Sequence, residues 1–117
     1  MDEIYNELLS QYKVEGIPQF ICGDMNTEEE INERYCKMLN CFGAENGEIS
    51  GVEKYTYDVD NNEIAKYCGP KNKTTYDYIL VRDNGVKIKS VKRFVDIFKK
   101  GKKNLSDHYG IVCELSF

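Results

Sequence analysis

Apolar residues recur at helical spacing in two stretches of the chain and fall into short runs or alternations in several others, which predicts helices and strands intermixed. Ile4, Leu8, Leu9 and Tyr12 lie on one helical face, and Gly16 and Pro18 end that pattern. Gln19-Phe20-Ile21-Cys22 is a brief apolar run leading into Gly23-Asp24-Met25-Asn26, as expected of a buried strand whose tip presents Asp24 and Asn26. Thr27, followed by Glu28, Glu29 and Glu30, supplies the hydroxyl and the acids of a helix N-terminus. The helix is expected to reach Asn40 and to stop at Gly43, with Ile31, Tyr35, Met38, Leu39 and Phe42 as its core stripe.

The middle of the chain, residues 45–72, is rich in Gly, Asn, Asp and Tyr and reads as loop with one or two short strands. Thr74 to Val81 has the β-branched and aromatic content of a strand, and Asp83-Asn84-Gly85 is turn chemistry that would send the chain back through Val86, Ile88 and Val91. Gly110 to Phe117 predicts a closing strand. No internal repeat or low-complexity tract interrupts this order.

A length of 117 residues allows one small domain or a piece of one and excludes two full domains, while 41% hydrophobic and 31% charged residues exclude a disordered chain. No run approaches the roughly 18 apolar residues of a membrane span, and Met-Asp-Glu-Ile-Tyr lacks the layout of a signal peptide. The five cysteines (Cys22, Cys36, Cys41, Cys68 and Cys113) are odd in number and form no C-x-x-C pair, which argues against a disulfide framework or a zinc site. They are expected as buried free thiols, which points to the cytosol unless an upstream segment carries an export signal. Arg82 to Lys103 holds nine basic and two acidic residues in a chain whose net charge is -4, so a basic segment sits on an acidic body.

Three polar clusters could carry chemistry: Gly23-Asp24-Met25-Asn26, Tyr76-Asp77-Tyr78 and Ser106-Asp107-His108. Asp24 can bind a hard cation or orient a water. Asp77 interrupts an apolar strand and requires a partner, and an Asp that fixes the tautomer of an imidazole suits the one histidine, His108. Asp107 would add a second carboxylate for metal or water. Each cluster alone is equally well a turn or a solvated loop.

Taken in order, a strand ending in G-D-M-N, a strand bearing D-Y-I-x-V and S-D-H before a closing strand resemble the C-terminal half of the endonuclease/exonuclease/phosphatase superfamily. Thr56-Tyr57-Asp58, Asn62-Glu63-Ile64-Ala65, Tyr67 and Pro70 further resemble the matching stretch of bacterial sphingomyelinase C. The resemblance implies an α+β fold, the C-terminal half of a four-layer deoxyribonuclease-like sandwich, with one mixed or antiparallel sheet and flanking helices, spanning residues 1–117. It implies a magnesium-dependent phosphodiesterase, with magnesium or another divalent cation near Asp24 and Asp107. Asp24 would activate water, Asn26 and His108 would engage the phosphoryl group, and Asp77 would support His108. The family's early Asn, its metal-binding Glu and its second histidine have no counterpart here, so the isolated chain is expected to be inactive.

The implied substrate is sphingomyelin or a related phospholipid phosphodiester. The alternatives are a nuclease or phosphatase of the same superfamily and a non-catalytic scaffold module. Arg82 to Lys103, with Phe94 and Phe98, would touch anionic lipid or nucleic acid, or else form a lysine-guarded strand edge. An uncovered sheet face would call for the missing half or a second copy as partner.

Overall fold

The computed structural model describes residues 2–67 and 69–117, with side chains described from residue 7 onward; the side chain of Ile4 and the thiol of Cys68 lie outside the described residues. Helix α1 (Asp2–Gln11) leads to β1 (Gln19–Asp24), and helix α2 (Asn32–Phe42) to the short strands β2 (Glu45–Asn46), β3 (Glu48–Ser50) and β4 (Tyr57–Asp58). The one-turn helix α3 (Glu63–Tyr67) precedes β5 (Lys73–Thr74) and β6 (Asp77–Arg82). Strands β7 (Ser90–Asp96), β8 (Lys99–Lys100), β9 (Lys103–Asn104) and β10 (Gly110–Ser116) complete the order. The α+β class that the resemblance implies is the class observed. No helix among the described residues is long and apolar enough to cross a membrane.

The sheet is divided into ladders. One three-stranded ladder runs β1-β6-β2 and another β10-β7-β3, with two-stranded ladders β4-β5 and β8-β9 beside them. All pairings are antiparallel except β3 with β7. Gly47 joins β2 to β3 and so links the two larger ladders. A Cβ there would stand 2.9 Å from Val91 Cγ1 and 3.2 Å from the Val91 carbonyl oxygen, so the crossing requires a glycine.

Alternation along the strands decides where the core sits. Ile21 of β1 and Tyr78 and Leu80 of β6 face Phe42 and Ala44, and Leu9, Met25, Tyr35, Met38 and Leu39 close over them. Leu80 is fully buried, which contributes roughly 2 kcal/mol. A second cluster of Tyr57, Ala65 and Tyr76, flanked by Val59, lies under the other end of the molecule. The opposite face of β1 leaves Phe20 half exposed.

Several expectations need correction. Helix α2 begins at Asn32, with Ile31 as its cap residue, and not at Thr27. The acids meant for its first turn are drawn away: Glu28 accepts the Tyr76 hydroxyl, Glu29 pairs with Arg93, and Glu30 accepts the Thr74 hydroxyl. Its end is as expected, since Gly43 is left-handed and the N–H groups of Gly43 and Ala44 close onto Asn40 and Leu39. Helix α3 falls in the segment read as loop. The Asp83-Asn84-Gly85 turn has Asn84 and Gly85 at positive φ, but the strands it separates do not pair: β6 bonds β1 and β2, and β7 bonds β10 and β3. Cys22 and Cys36 are exposed and not buried, because alternate positions of β1 and the outer side of α2 turn away from the core, while Cys41 and Cys113 are partly buried. Arg93, counted with the basic segment, is buried against Glu29 and does not add to its surface charge.

Candidate functional site

Strand pairing creates the centre of the site. In the β1–β6 ladder Asp24, the last residue of β1, stands directly opposite Asp77, the first residue of β6. Directly opposed residues project to the same face with Cβ atoms roughly 5 Å apart, and like charges placed so are destabilising unless a counter-charge intervenes. His108 arrives there from the far end of the chain. Its Nδ1 lies 2.8 Å from Asp77 Oδ2, and since a carboxylate can only accept, Nδ1 carries the proton. One ligand atom from each of Asp24, Asp77 and His108 falls within 4.8 Å of the others.

Local structure explains how each side chain is presented. Gly23 and Asn26 both have positive φ, and the N–H of Asn26 donates to Asp24 Oδ1 at 2.9 Å, fixing the exposed carboxylate in a tight turn beyond the strand. The N–H of Met25 bonds the Tyr76 carbonyl at 2.9 Å, carrying the ladder past its formal end. Across from it, Thr56 Oγ1 accepts the N–H groups of Tyr76 and Asp77 at 3.1 and 3.3 Å and so seats the start of β6. His108 forms an isolated bridge with Tyr57, and its ring meets the Tyr57 ring edge-on at 5.3 Å and the Tyr76 ring at 6.0 Å. The two tyrosines give the imidazole a partly apolar wall, and burial pushes the Tyr76 hydroxyl above its ordinary pKa.

Of the five residues expected in the site, Asp24, Asp77 and His108 are brought together. Asn26 lies in the same turn as Asp24, with its side chain exposed. Asp107 is outside the three-residue group; its carboxylate accepts the Ser106 hydroxyl at 3.3 Å, while the Ser106 oxygen accepts the N–H of His108 at 3.1 Å. Residues 105–107 form consecutive bends before the bridge at His108, and the Asp107 carboxylate is engaged with its own loop through Ser106.

The donor set fits a hard cation. Asp24 is exposed and has no Lys or Arg partner among the described residues, Asp77 has His108 alone, and oxygen-rich, water-accessible carboxylates are the ligands magnesium accepts. Thr56, Tyr57 and Tyr76 stood out in the sequence only as members of the Thr56-Tyr57-Asp58 and Tyr76-Asp77-Tyr78 stretches; their part in seating Asp77 and walling His108 was not legible, since a buried hydroxyl or ring acting on a neighbour leaves no mark in the sequence. A polar cleft of about 360 Å³ lined in part by Gly43, Asn46, Val81 and Val91 is a separate feature, because Val81 is four residues, roughly 13 Å, along β6 from Asp77.

No family model matches the chain, and no curated protein matches it in sequence. Solved structures share its fold. A beta toxin from Staphylococcus aureus superposes with a TM-score of 0.77 at 22% identity over 97% of this chain and 42% of its own. Sphingomyelinase C from Streptomyces griseocarneus gives 0.74 at 19% identity, over 96% of this chain and 42% of its own. SmcL gives 0.72 at 23% identity, over 96% and 43%. The chain therefore has the fold expected from the resemblance and spans about two fifths of the length of the structures it matches.

Proposed function

We propose that this chain carries one wall of a metal-dependent phosphodiesterase site, and that the complete site hydrolyses sphingomyelin or a related phospholipid phosphodiester. The observation that carries the proposal is the Asp24-Asp77-His108 group, in which an imidazole gripped by one carboxylate lies within reach of a second on a fold shared with sphingomyelinase C.

The chemistry follows from the contacts. With Nδ1 committed to Asp77, the other ring nitrogen of His108 is left to exchange a proton with the substrate, and Asp77 stabilises the imidazolium that results. Asp24 is placed to orient the attacking water, and the Asn26 amide to donate to a phosphoryl oxygen in the transition state. Asp24 would hold a magnesium ion, which would supply Lewis-acid polarisation of the phosphate. Asp107 lies outside the group, so Asp24 is the carboxylate assigned to the cation.

Asp24 of the group is exposed, and the group contains the single histidine of the chain. We expect little turnover from the chain alone, with the remaining wall supplied by further sequence or by a second chain. The exposed Phe98 and Leu105 flank the lysine-rich β8–β9 hairpin and would rest on an anionic lipid surface.

The test uses the longest protein that contains this sequence, with magnesium, on sphingomyelin liposomes and on plasmid DNA. Release of phosphorylated head group that His108→Ala abolishes is the expected result. DNA nicking without lipid turnover would move the assignment to a nuclease, and no cleavage of either would favour a scaffold module.

A further inference from the structure

Two adjacent residues at the start of α3 hold the segment that delivers His108. Asn62 is fully buried and is used on both sides of its amide. Its Oδ1 accepts the N–H groups of Ile64 and Ala65 at 3.0 and 3.1 Å, capping α3, while its Nδ2 donates to the carbonyls of Ser106 at 2.9 Å and Asp107 at 3.4 Å. These are the two peptide units immediately before His108. Glu63 grips the same segment one step earlier: its carboxylate accepts both the backbone N–H and the Nδ2 of Asn104 at 2.6 Å. That pair of bonds, the Asn104 amide foremost, holds the Glu63 carboxyl below its usual range.

The same helix also reaches the imidazole through Tyr57. The Tyr57 ring packs edge-on to His108, and the Tyr57 hydroxyl donates to the carbonyls of Ala65 at 3.3 Å and Pro70 at 2.8 Å. The N–H of Asn62 bonds the Asp58 carbonyl at 3.0 Å, which fixes α3 to the strand bearing Tyr57. Residues 104–107 contain bends and two exposed side chains, Leu105 and Ser106, and α3 contacts β9, the strand that enters them. Beside the clamp, the stretch is tied at its two ends, by the Leu105 N–H on the Phe98 carbonyl at 3.1 Å and the Tyr109 N–H on the Thr56 carbonyl at 2.7 Å, so the clamp acts on the bends between them.

We propose that Asn62 and Glu63 are positioning residues: a clamp at the start of α3 that fixes the approach of the 104–107 segment and thereby the Nδ1 contact of His108 with Asp77. Its functional meaning rests on the phosphodiesterase assignment, whereas the clamp itself is a claim about where His108 sits and is measured without turnover. The amide performs two separable tasks. Asn62→Asp keeps an acceptor for the α3 N–H groups but removes the donor and turns an oxygen toward the Ser106 and Asp107 carbonyls.

The chain has one histidine, so its ring resonances are unambiguous. Two-dimensional NMR of the nitrogen-labelled chain would follow the Nδ1–H proton of His108, the ring nitrogen shifts, and the amides of β1 and β6. In the wild type a downfield, slowly exchanging Nδ1–H is expected. In Asn62→Asp it should be lost or exchange at least tenfold faster, with the β1 and β6 amides in place. Unchanged His108 resonances in Asn62→Asp would overturn the clamp. Should that variant unfold, Glu63→Gln decides: it leaves the buried Asn62 contacts intact, and it should shift the His108 signals or else refute the Glu63 arm together with the clamp. The lipid-cleavage assay separates the two ideas. His108 displaced in a protein that never cleaves phosphodiesters leaves the clamp standing and sinks the phosphodiesterase assignment; His108 undisturbed in an active protein does the reverse.

Discussion

Replacing Thr56 by valine tests how the site is seated. Thr56 is fully buried, and its hydroxyl oxygen accepts the N–H groups of Tyr76 and Asp77 at 3.1 and 3.3 Å. Valine preserves the β-branch and nearly the volume, so the change is confined to the loss of that acceptor. A buried donor left without a partner costs about 1 to 3 kcal/mol. The Tyr76 amide belongs to a buried residue and would bear most of that, while Asp77 is half-buried and water can relieve part of its cost. Exchanging a buried hydroxyl for a methyl returns a fraction, which leaves a net loss of about 2 kcal/mol. At about 4 °C per kcal/mol for a chain of this size, the midpoint of thermal unfolding should fall by about 8 °C. Urea unfolding should show a lower midpoint at constant slope. Thr56→Ser, which keeps the oxygen and loses one methyl, should cost about 1 kcal/mol and rank above Thr56→Val. A valine variant within about 0.5 kcal/mol of the wild type, or more stable than the serine variant, would refute the assignment of this hydroxyl as the support of β6.

Asp77→Asn in the full protein should lower kcat roughly a hundredfold or more, with KM for the lipid little changed, because the geometry survives and the charge that stabilises the imidazolium does not; a pure KM effect would contradict the role given to Asp77. Gly47→Ala should destabilise by about 1 to 3 kcal/mol in urea, since the new methyl meets Val91 at 2.9 Å, and a silent substitution would show that the crossing between ladders has room. Burial holds the hydroxyls of Tyr35, Tyr76, Tyr78 and Tyr109 above their ordinary value. The unfolded chain releases these protons near pH 10 while the folded chain keeps them, so this part of the stability is complete below pH 10 and is lost as pH rises beyond it. The fully buried Tyr78 contributes up to about 1.4 kcal/mol per pH unit, and equal stability in urea at pH 9 and pH 11 would count against the buried hydroxyls.

Elements with a pattern of their own were legible in the sequence. Helix α1, strands β1 and β10, and the end of α2 at Gly43 each declare themselves through apolar spacing or a left-handed glycine. The start of α2 was not legible, because Thr27 to Glu30 has the local chemistry of a helix N-terminus and tertiary partners outbid it: Tyr76, Arg93 and Thr74 lie 44 or more residues away in sequence. Helix α3 spans five residues, too few to show a period. The Asn84-Gly85 turn indicates a reversal but not a partner. Its position is set by tertiary contacts, with Asn84 Nδ2 donating to the Ile17 carbonyl at 2.9 Å and the Gly16 N–H to the Asn84 carbonyl at 2.8 Å, and the emerging strand joins β10 and β3.

The site divides along the same line. Residue types announced Asp24, Asp77 and His108, since a carboxylate after a glycine, an acid inside an apolar strand and a lone histidine each call for a chemical explanation. Register, which no local feature encodes, supplied the rest. A one-residue slip between β1 and β6 would turn Asp24 or Asp77 to the opposite face and leave His108 with a single carboxylate. The register is held on the core face by Ile21 opposite Leu80, and at the strand ends by the Met25 amide on the Tyr76 carbonyl and by Thr56 beneath Tyr76 and Asp77. Apolar packing on one side of the ladder thus fixes an otherwise repulsive pair of carboxylates on the other, and that repulsion is what makes the pair suited to an imidazole and a cation.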